Sequence, residues 1–360
     1  MSPPLKTNIL ITGATGYIGG TVLRRFLAHP NASSFSITAL VRSPEKATKL
    51  RPFGIIPVVG STANLPFLED LASKADVVLA MTNADDHSAT QAILRGLRTH
   101  HNTTGNTPVL IHTSGTGVLT DDAKGAYASE VIYDDTNLAQ LETLPPTQLH
   151  RKIDLAIINA DAEGYVRSYI IIPSTVWGLA TGPLVDLGVQ NPISMQIPVL
   201  IDASVDRGQG GMVGAGKNLW GNVNIEDIAD LYIILYDAIV ANPDGPGHGR
   251  SGLYFGENGE HSLYEVGRAV SQALMATDCL KGESAEPTTF TKEEIALYFM
   301  GSESYGTNAR CKSKRARAIG WRPVRGKADF LSSIKSELED GRWKGAAKKF
   351  ADTIRIAHRL

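Results

Sequence analysis

The sequence predicts an α/β fold: a doubly wound parallel sheet covered by helices on both faces, with a smaller C-terminal cap over it. Two observations predict it. Short apolar runs alternate with helical patterns through the first half of the chain, and the first run, Asn8 to Thr12, leads directly into Gly13, Gly16 and Gly19 before a helical pattern begins.

Taken in order, strands are expected near Asn8 to Thr12, Ser36 to Val41, Ile55 to Val59, Val77 to Met81, Val109 to His112 and Ser168 to Ile172. Each is short and apolar, as parallel strands buried on both faces should be. Helical patterns fill the gaps at Thr21 to Ala28, Leu65 to Ser73, Ser88 to His100 and Leu149 to Ala160. Beyond Gly178 the pattern weakens into glycine- and proline-marked loops, including Gly182-Pro183, Asn191-Pro192 and Gly208 to Gly211. A helix resumes at Ile225 to Val240, with Asn224 as its cap and an apolar stripe through Ile228, Leu231, Ile234 and Leu235. Helical patterns near Leu263 to Met275 and Lys327 to Leu338 complete the tail. Residues 1–178 are therefore read as a dinucleotide-binding domain on which segment 214–255 also packs. Segments 179–213 and 256–360 are read as the substrate-binding cap.

The glycines carry the first chemistry. Gly13 permits a tight turn after the strand, Gly16 lets the backbone approach a pyrophosphate, and Gly19 lets the helix pack closely on the strand. The pyrophosphate would rest on the free N–H groups at the helix N-terminus. Thr15, Tyr17 and Ile18 complete this candidate cradle.

Composition excludes several other classes. The 360 residues carry 35 Lys and Arg against 37 Asp and Glu, a formal charge of −2. That balance gives no general reason to expect nucleic acid. No apolar run reaches the roughly 18 to 20 residues that a membrane span requires. Cys279 and Cys311 cannot form a disulfide framework or a multi-cysteine metal site, so no metal is expected and a reducing, cytoplasmic setting is. The expected partner is a small-molecule substrate, without nucleic acid or membrane, and a homodimer is the candidate assembly. Gly211 to Asn218 approaches a P-loop, but Asn218 stands where a magnesium-binding hydroxyl belongs. Arg310, Lys312, Lys314, Arg315 and Arg317 form a basic run, which reads either as a solvated face or as a contact for a phosphorylated substrate.

The spacing Gly-x-x-Gly-x-x-Gly after Thr12, with Tyr17-Ile18 between the last two glycines, resembles the extended and atypical short-chain dehydrogenase/reductases, including the NmrA-like proteins. Later segments are similar as well: Asp76 to Ala80, Ile111 to Leu119, Tyr169 to Gly178, Gly214 to Asn218 with Val223 to Ala229, and Ile319-Gly320-Trp321-Arg322-Pro323. The resemblance implies a Rossmann sheet. It also implies cofactor contacts at later strand ends, here Met81, Thr82, Thr113, Pro173, Thr175 and Val176.

NAD-binding members carry an acidic residue at the end of the second strand. Here the strand ends in Arg42, with Lys46 shortly after, and a guanidinium fork suits a 2′-phosphate. NADP(H) is the expected cofactor. The resemblance further implies a Tyr-x-x-x-Lys pair and a Ser or Thr at the active site, but no such pair lies between the fifth and sixth strands. Alignment puts Pro146 at the tyrosine position and His150 at the lysine position. Tyr127 or Tyr133 is then a replacement acid, beside Ser114 or Thr116, and His150 is expected at the edge of an apolar helix face made by Leu149, Ile153, Ala156 and Ile157. The expected function is NADP(H)-dependent oxidoreduction of a small carbonyl compound. A nicotinamide-binding regulator without turnover and a redox-neutral epimerase or isomerase stand beside it.

Overall fold

The computed structural model describes residues 6–277, 281 and 284–357. Its central sheet has seven parallel strands in the order Leu253–Gly256, Arg167–Pro173, Val109–Thr113, Val77–Ala80, Thr7–Thr12, Phe35–Val41 and Ile56–Val59. Chain order reverses between Thr7–Thr12 and Val77–Ala80, which opens a crevice beyond the C-terminal ends of these two strands.

Side chains alternate along each strand, so each face feeds its own core. Ile9, Ile11, Leu79, Ile111 and Ile171 pack on one face with Val22, Leu23 and Phe26 of helix Tyr17–Leu27 and with Ile228, Leu231 and Leu235 of helix Ile225–Ala241. Leu10, Val78, Leu110 and Ile170 face the other way. They meet Leu68, Ile93, Leu97, Ile153 and Ile157 from helices Leu65–Ala72, His87–Thr104 and Arg151–Ala162. The Asn224 side chain caps its helix by accepting from Glu226 N at 3.0 Å.

A small sheet, Thr175–Trp177 beside Leu219–Asn224 beside Glu260–Ser262, forms the floor of the cap. Above it Trp177, Ile201, Val266, Val270, Phe290, Phe299, Phe330 and Ile334 make a third core. Helix Leu263–Ala276 starts with a capping box in which Ser262 and Glu265 satisfy each other's backbone N–H groups.

Several expectations need correction. The stretch read as loops between Gly178 and Gly214 contains helix Gln196–Arg207, whose Ile197, Leu200 and Ile201 are buried. Its apolar face was legible, but flanking glycines and prolines masked it. Helix Pro44–Leu50, capped by Ser43, and strand Leu253–Gly256 are both short and were missed. Segment 309–321 lies within the expected cap, yet Ala309 and Cys311 join one core of the main sheet and Ala316 and Trp321 the other. The Trp321 indole fixes this return by donating to Asp227 O at 2.7 Å. Cys311 is a buried free thiol, while Cys279 lies outside the described residues.

The basic run is largely tied down. Arg310 pairs with Glu260 at 2.8 Å, Lys314 with Asp134 at 2.6 Å, Arg315 donates to Asp135 O at 2.9 Å, and Arg317 donates to Asn258 Oδ1 at 3.1 Å. The segment resembling a P-loop has no helix behind it. Asn218 is buried and donates to Tyr305 O and Thr307 O, both at 2.8 Å. No helix among the described residues is long and apolar enough to cross a membrane.

Candidate functional site

The three glycines occupy three different environments. Gly13 adopts φ +78°, and a Cβ there would lie 2.2 Å from Met81 O, so this turn is seated against the end of the neighbouring strand. A Cβ on Gly19 would lie 2.2 Å from Gly13 O, which marks the close packing of helix on strand. At Gly16 a Cβ would meet only Gly13 O, at 3.1 Å, and the space beyond is open. Gly16 also caps helix Tyr17–Leu27 without any side-chain hydrogen bond, and no acidic residue stands in the first turn. A cradle open above Gly16, with unscreened N–H groups behind it, fits a pyrophosphate.

Thr15 and Ile18 are partly exposed on this turn, whereas Tyr17 is buried. The Tyr17 hydroxyl donates to Gly178 O at 2.5 Å, so Tyr17 can offer a ligand only its backbone. On the outer side of the cradle the strand Phe35–Val41 ends at Arg42. Arg42 is exposed, Lys46 is half-buried, and neither side chain makes a hydrogen bond or ion pair among the described residues, the Lys46 backbone N–H alone donating to Ser43 Oγ. Both are available to an anion.

On the inner side the strand ends run in sequence. Met81 is buried, with its N–H bonded to Thr12 O at 3.3 Å, and Thr82 is exposed. Next comes Ser114, held by its N–H to Ile171 O at 2.9 Å. From Arg42 to Ser114 is three strand spacings, about 14 Å. Pro173 ends the following strand, and Thr175, with half-buried Val176, belongs to the cap floor. The Thr113 hydroxyl shares a 2.6 Å hydrogen bond with Tyr232 OH, which commits it to the opposite helix layer.

His150 does not lie on a helix face. Helix Arg151–Ala162 starts one residue later, and His150 is its N-cap with φ 67°. Leu149, expected on the core face, is 53% exposed, while Ile153 and Ile157 are buried as expected. The helix begins late because Pro145 and Pro146 and the Gln148 side chain, which donates to Val118 O and Thr120 O, hold the preceding segment as a turn.

The left-handed cap turns the imidazole toward Asp85, in the loop before helix His87–Thr104. Asp85 Oδ1 accepts from His150 N at 3.0 Å and pairs with His150 Nδ1 at 2.9 Å. With Nδ1 engaged, Nε2 points over the loop after the fifth strand. A Cβ on Gly115 would stand 3.2 Å from it, and one on Gly117 3.3 Å. Partial burial raises the Asp85 pKa, but the His150 hydrogen bonds outweigh it and hold the carboxylate below its ordinary value.

Behind this pair lies a buried layer. Ser114 Oγ donates to Asp154 Oδ2 at 3.2 Å, and Asp154 is 1% exposed. Burial pushes the Asp154 carboxyl up to about 6, against the pull of Ser114, His150 and Arg151. His112, also buried, is pushed down to about 4, first by desolvation and second by His150. Asp154 Oδ1 and His112 Nε2 find no hydrogen-bond partner among the described residues.

The other candidates stand apart. Thr116 is buried at the start of a short turn, Thr116–Leu119. Tyr127 is 51% exposed, and Tyr133 belongs to a two-residue strand paired with Cys311–Lys312. No hydrogen bond links either tyrosine to Ser114 or His150 among the described residues. Asp85 and Asp154 were missed by sequence reasoning. Asp154 left a signal, a carboxylate between Ile153 and Ile157 on an apolar helix face. Asp85 left none beyond being the spare member of Asp85-Asp86, since Asp86 caps the helix by accepting from Ala89 N.

A glycine turn at the switch point of a doubly wound sheet, under a separate cap, defines a Rossmann protein built for a nucleotide. Residues 5–96 match the NmrA-like family. Over 335 residues the chain is 30% identical to a protein named oxidase ucsJ from an Acremonium species, covering 89% of this chain and 94% of that one. Among solved structures, a UDP-glucose 4-epimerase from Thermotoga maritima superposes with TM-score 0.62 at 12% identity, over 93% of this chain and 99% of its own. A dTDP-glucose 4,6-dehydratase from Streptomyces venezuelae, solved with NAD bound, superposes with TM-score 0.62 at 17% identity, over 94% and 99%. The chain belongs to the extended and atypical short-chain dehydrogenase/reductase superfamily, with an NmrA-like N-terminal region.

Proposed function

We propose that this protein binds NADP(H) and acts as an oxidoreductase on a small carbonyl compound held beneath the cap. One observation carries the reading: the open cradle at Gly16 follows strand Thr7–Thr12, and Asp85, which holds His150, lies in the loop that follows the neighbouring strand Val77–Ala80. The name of the Acremonium relative, an oxidase, and the NAD seen in the dehydratase agree with nicotinamide redox chemistry.

The residues fit such a cofactor. Gly13, Gly16 and Gly19 would hold the pyrophosphate, and Arg42 with Lys46 would hold the 2′-phosphate. His150 would accept a hydrogen bond from a ribose hydroxyl through Nε2, because Asp85 fixes the proton on Nδ1. A bound nicotinamide supplies a hydride or takes one up. Ser114 orients the substrate oxygen, and the cap excludes water.

The missing Tyr-x-x-x-Lys pair favours a second reading, a nicotinamide-binding regulator without turnover. Oxidation of NADPH by the full-length protein with a panel of ketones, aldehydes and enones separates the two. Turnover supports the oxidoreductase, whereas tight NADPH binding with no turnover across the panel supports the regulator.

A further inference from the structure

The superfamily's tyrosine is absent, and neither Tyr127 nor Tyr133 hydrogen-bonds to the Ser114 and His150 cluster among the described residues. Something else must exchange a proton with the substrate oxygen if the protein turns over carbonyl compounds. Ser114 stands at the end of the fifth strand, beside the loop that His150 Nε2 covers. Ser114 Oγ lies 3.2 Å from Asp154 Oδ2: the hydroxyl donates to an ionised Asp154, whereas a protonated Asp154 can donate to Oγ and leave the hydroxyl hydrogen for another acceptor. Asp154 is closed off from solvent, and its Oδ1 has no partner among the described residues.

We propose that Ser114 and Asp154 form a buried proton-transfer couple that takes the place of the missing tyrosine, a role that rests on the oxidoreductase reading above. In the reducing direction the carbonyl carbon gains a hydride from the reduced nicotinamide and the carbonyl π electrons move onto oxygen. That oxygen takes the Ser114 Oγ proton, the Asp154 proton moves to Oγ, and Asp154 is left as a carboxylate. In the oxidising direction each proton moves the other way and Asp154 ends protonated.

Asp154 is set up to hold that proton. Burial, the largest influence, favours its neutral form, and Asp85 acts in the same sense. The Ser114 hydrogen bond, His150 and Arg151 oppose them, leaving the carboxyl at about 6. His112 lies within range of His150 and Asp85 and is held neutral at physiological pH by its own burial.

The test uses the full-length protein with NADPH and the best carbonyl substrate of the panel. In the wild type, reduction should decline as pH rises through about 6, where Asp154 loses its proton. Asp154→Asn keeps the shape and the acceptor for Ser114 but cannot hold the proton. It should lower the rate about a hundredfold or more and remove the limb near 6, with NADPH affinity unchanged. Infrared titration gives a readout independent of turnover: a protonated carboxylic acid that titrates near 6 in the wild type and is missing in Asp154→Asn. Should Asp154→Asn fold poorly, Ser114→Ala replaces it, with the same rate loss and the infrared signal retained but moved to higher pH. A wild type without turnover overturns the oxidoreductase reading itself. A wild type that turns over while Asp154→Asn or Ser114→Ala keeps the rate and the limb overturns the couple alone, as does a carboxyl at 154 that stays ionised throughout.

Discussion

Asp85 Oδ1 accepts two hydrogen bonds from His150, one from the backbone N–H and one from Nδ1, and so fixes both the helix cap and the ring of one residue. The second bond determines which nitrogen faces the crevice. Without Asp85 the ring could turn, and Nε2 would lose its aim over Gly115 and Gly117.

Asp85→Ala, which removes the acceptor, should therefore weaken NADPH binding or turnover by roughly ten- to a hundredfold, since a hydrogen bond to a charged group is worth about 1.5 to 3 kcal/mol. His150→Ala should lose at least as much. Cofactor titration, turnover and melting temperature measured together decide it. A change confined to melting temperature in both variants would assign the pair a purely structural role.

Arg42→Ala should reduce the preference for NADPH over NADH by roughly ten- to a hundredfold, since one charge-assisted contact contributes about 1.5 to 3 kcal/mol. Binding of NADH should be unaffected. Equal affinities of the wild type for both cofactors would show that Arg42 meets no phosphate.

Gly16 and Gly19 should fail differently. Gly16 has ordinary extended backbone angles and open space above it, so Gly16→Val should fold with little change in melting temperature and lose NADPH binding. Gly19→Ala forces a methyl group toward Gly13 O and should destabilise the fold by about 1 to 3 kcal/mol. Calorimetry with and without NADPH separates the two, and normal NADPH binding by Gly16→Val would remove the cofactor from this turn.

Glu337, on cap helix Lys327–Asp340, makes a pH prediction. Its Oε1 accepts from Gly178 N at 3.0 Å, and burial pushes its carboxyl up to about 7, with Asp340 adding to the rise. The folded pKa lies above the unfolded one, so its contribution is complete below about 4.5 and is lost as pH rises through 7. The loss is at most about 3 kcal/mol. Melting temperature should fall between pH 5 and 8 in the wild type and fall less in Glu337→Gln. Parallel curves for the two proteins would assign the decline to another group.

The sheet was legible because its strands are buried on both faces and announce themselves as apolar runs, Asn8 to Thr12 and Val77 to Ala80 among them. The glycine turn was legible for a different reason: each glycine answers a separate steric demand at a fixed spacing. The site was only half legible. Ser114 is reached from its place at a strand end and His150 only by alignment with the family's lysine, on a helix face that it does not occupy, and their carboxylate partners come from Asp154, whose acidity depends on burial, and from Asp85, on another loop. Neither fact is local in the chain. Helix Gln196–Arg207 was hidden by the turn residues around it, and the cap of His150 depends on a left-handed backbone that no side-chain pattern reveals.

The late return of segment 309–321 bears on how the molecule is made. Strand Leu253–Gly256 closes one edge of the central sheet, and Trp321 fills the core beside helix Ile225–Ala241. During synthesis, which runs from the N-terminus at about 5 to 20 residues per second, the nucleotide-binding half is finished only after residue 321 leaves the ribosome. Until then its apolar interior is open on that side, and a nascent chain stalled or truncated before Trp321 presents an unfinished core to chaperones and proteases.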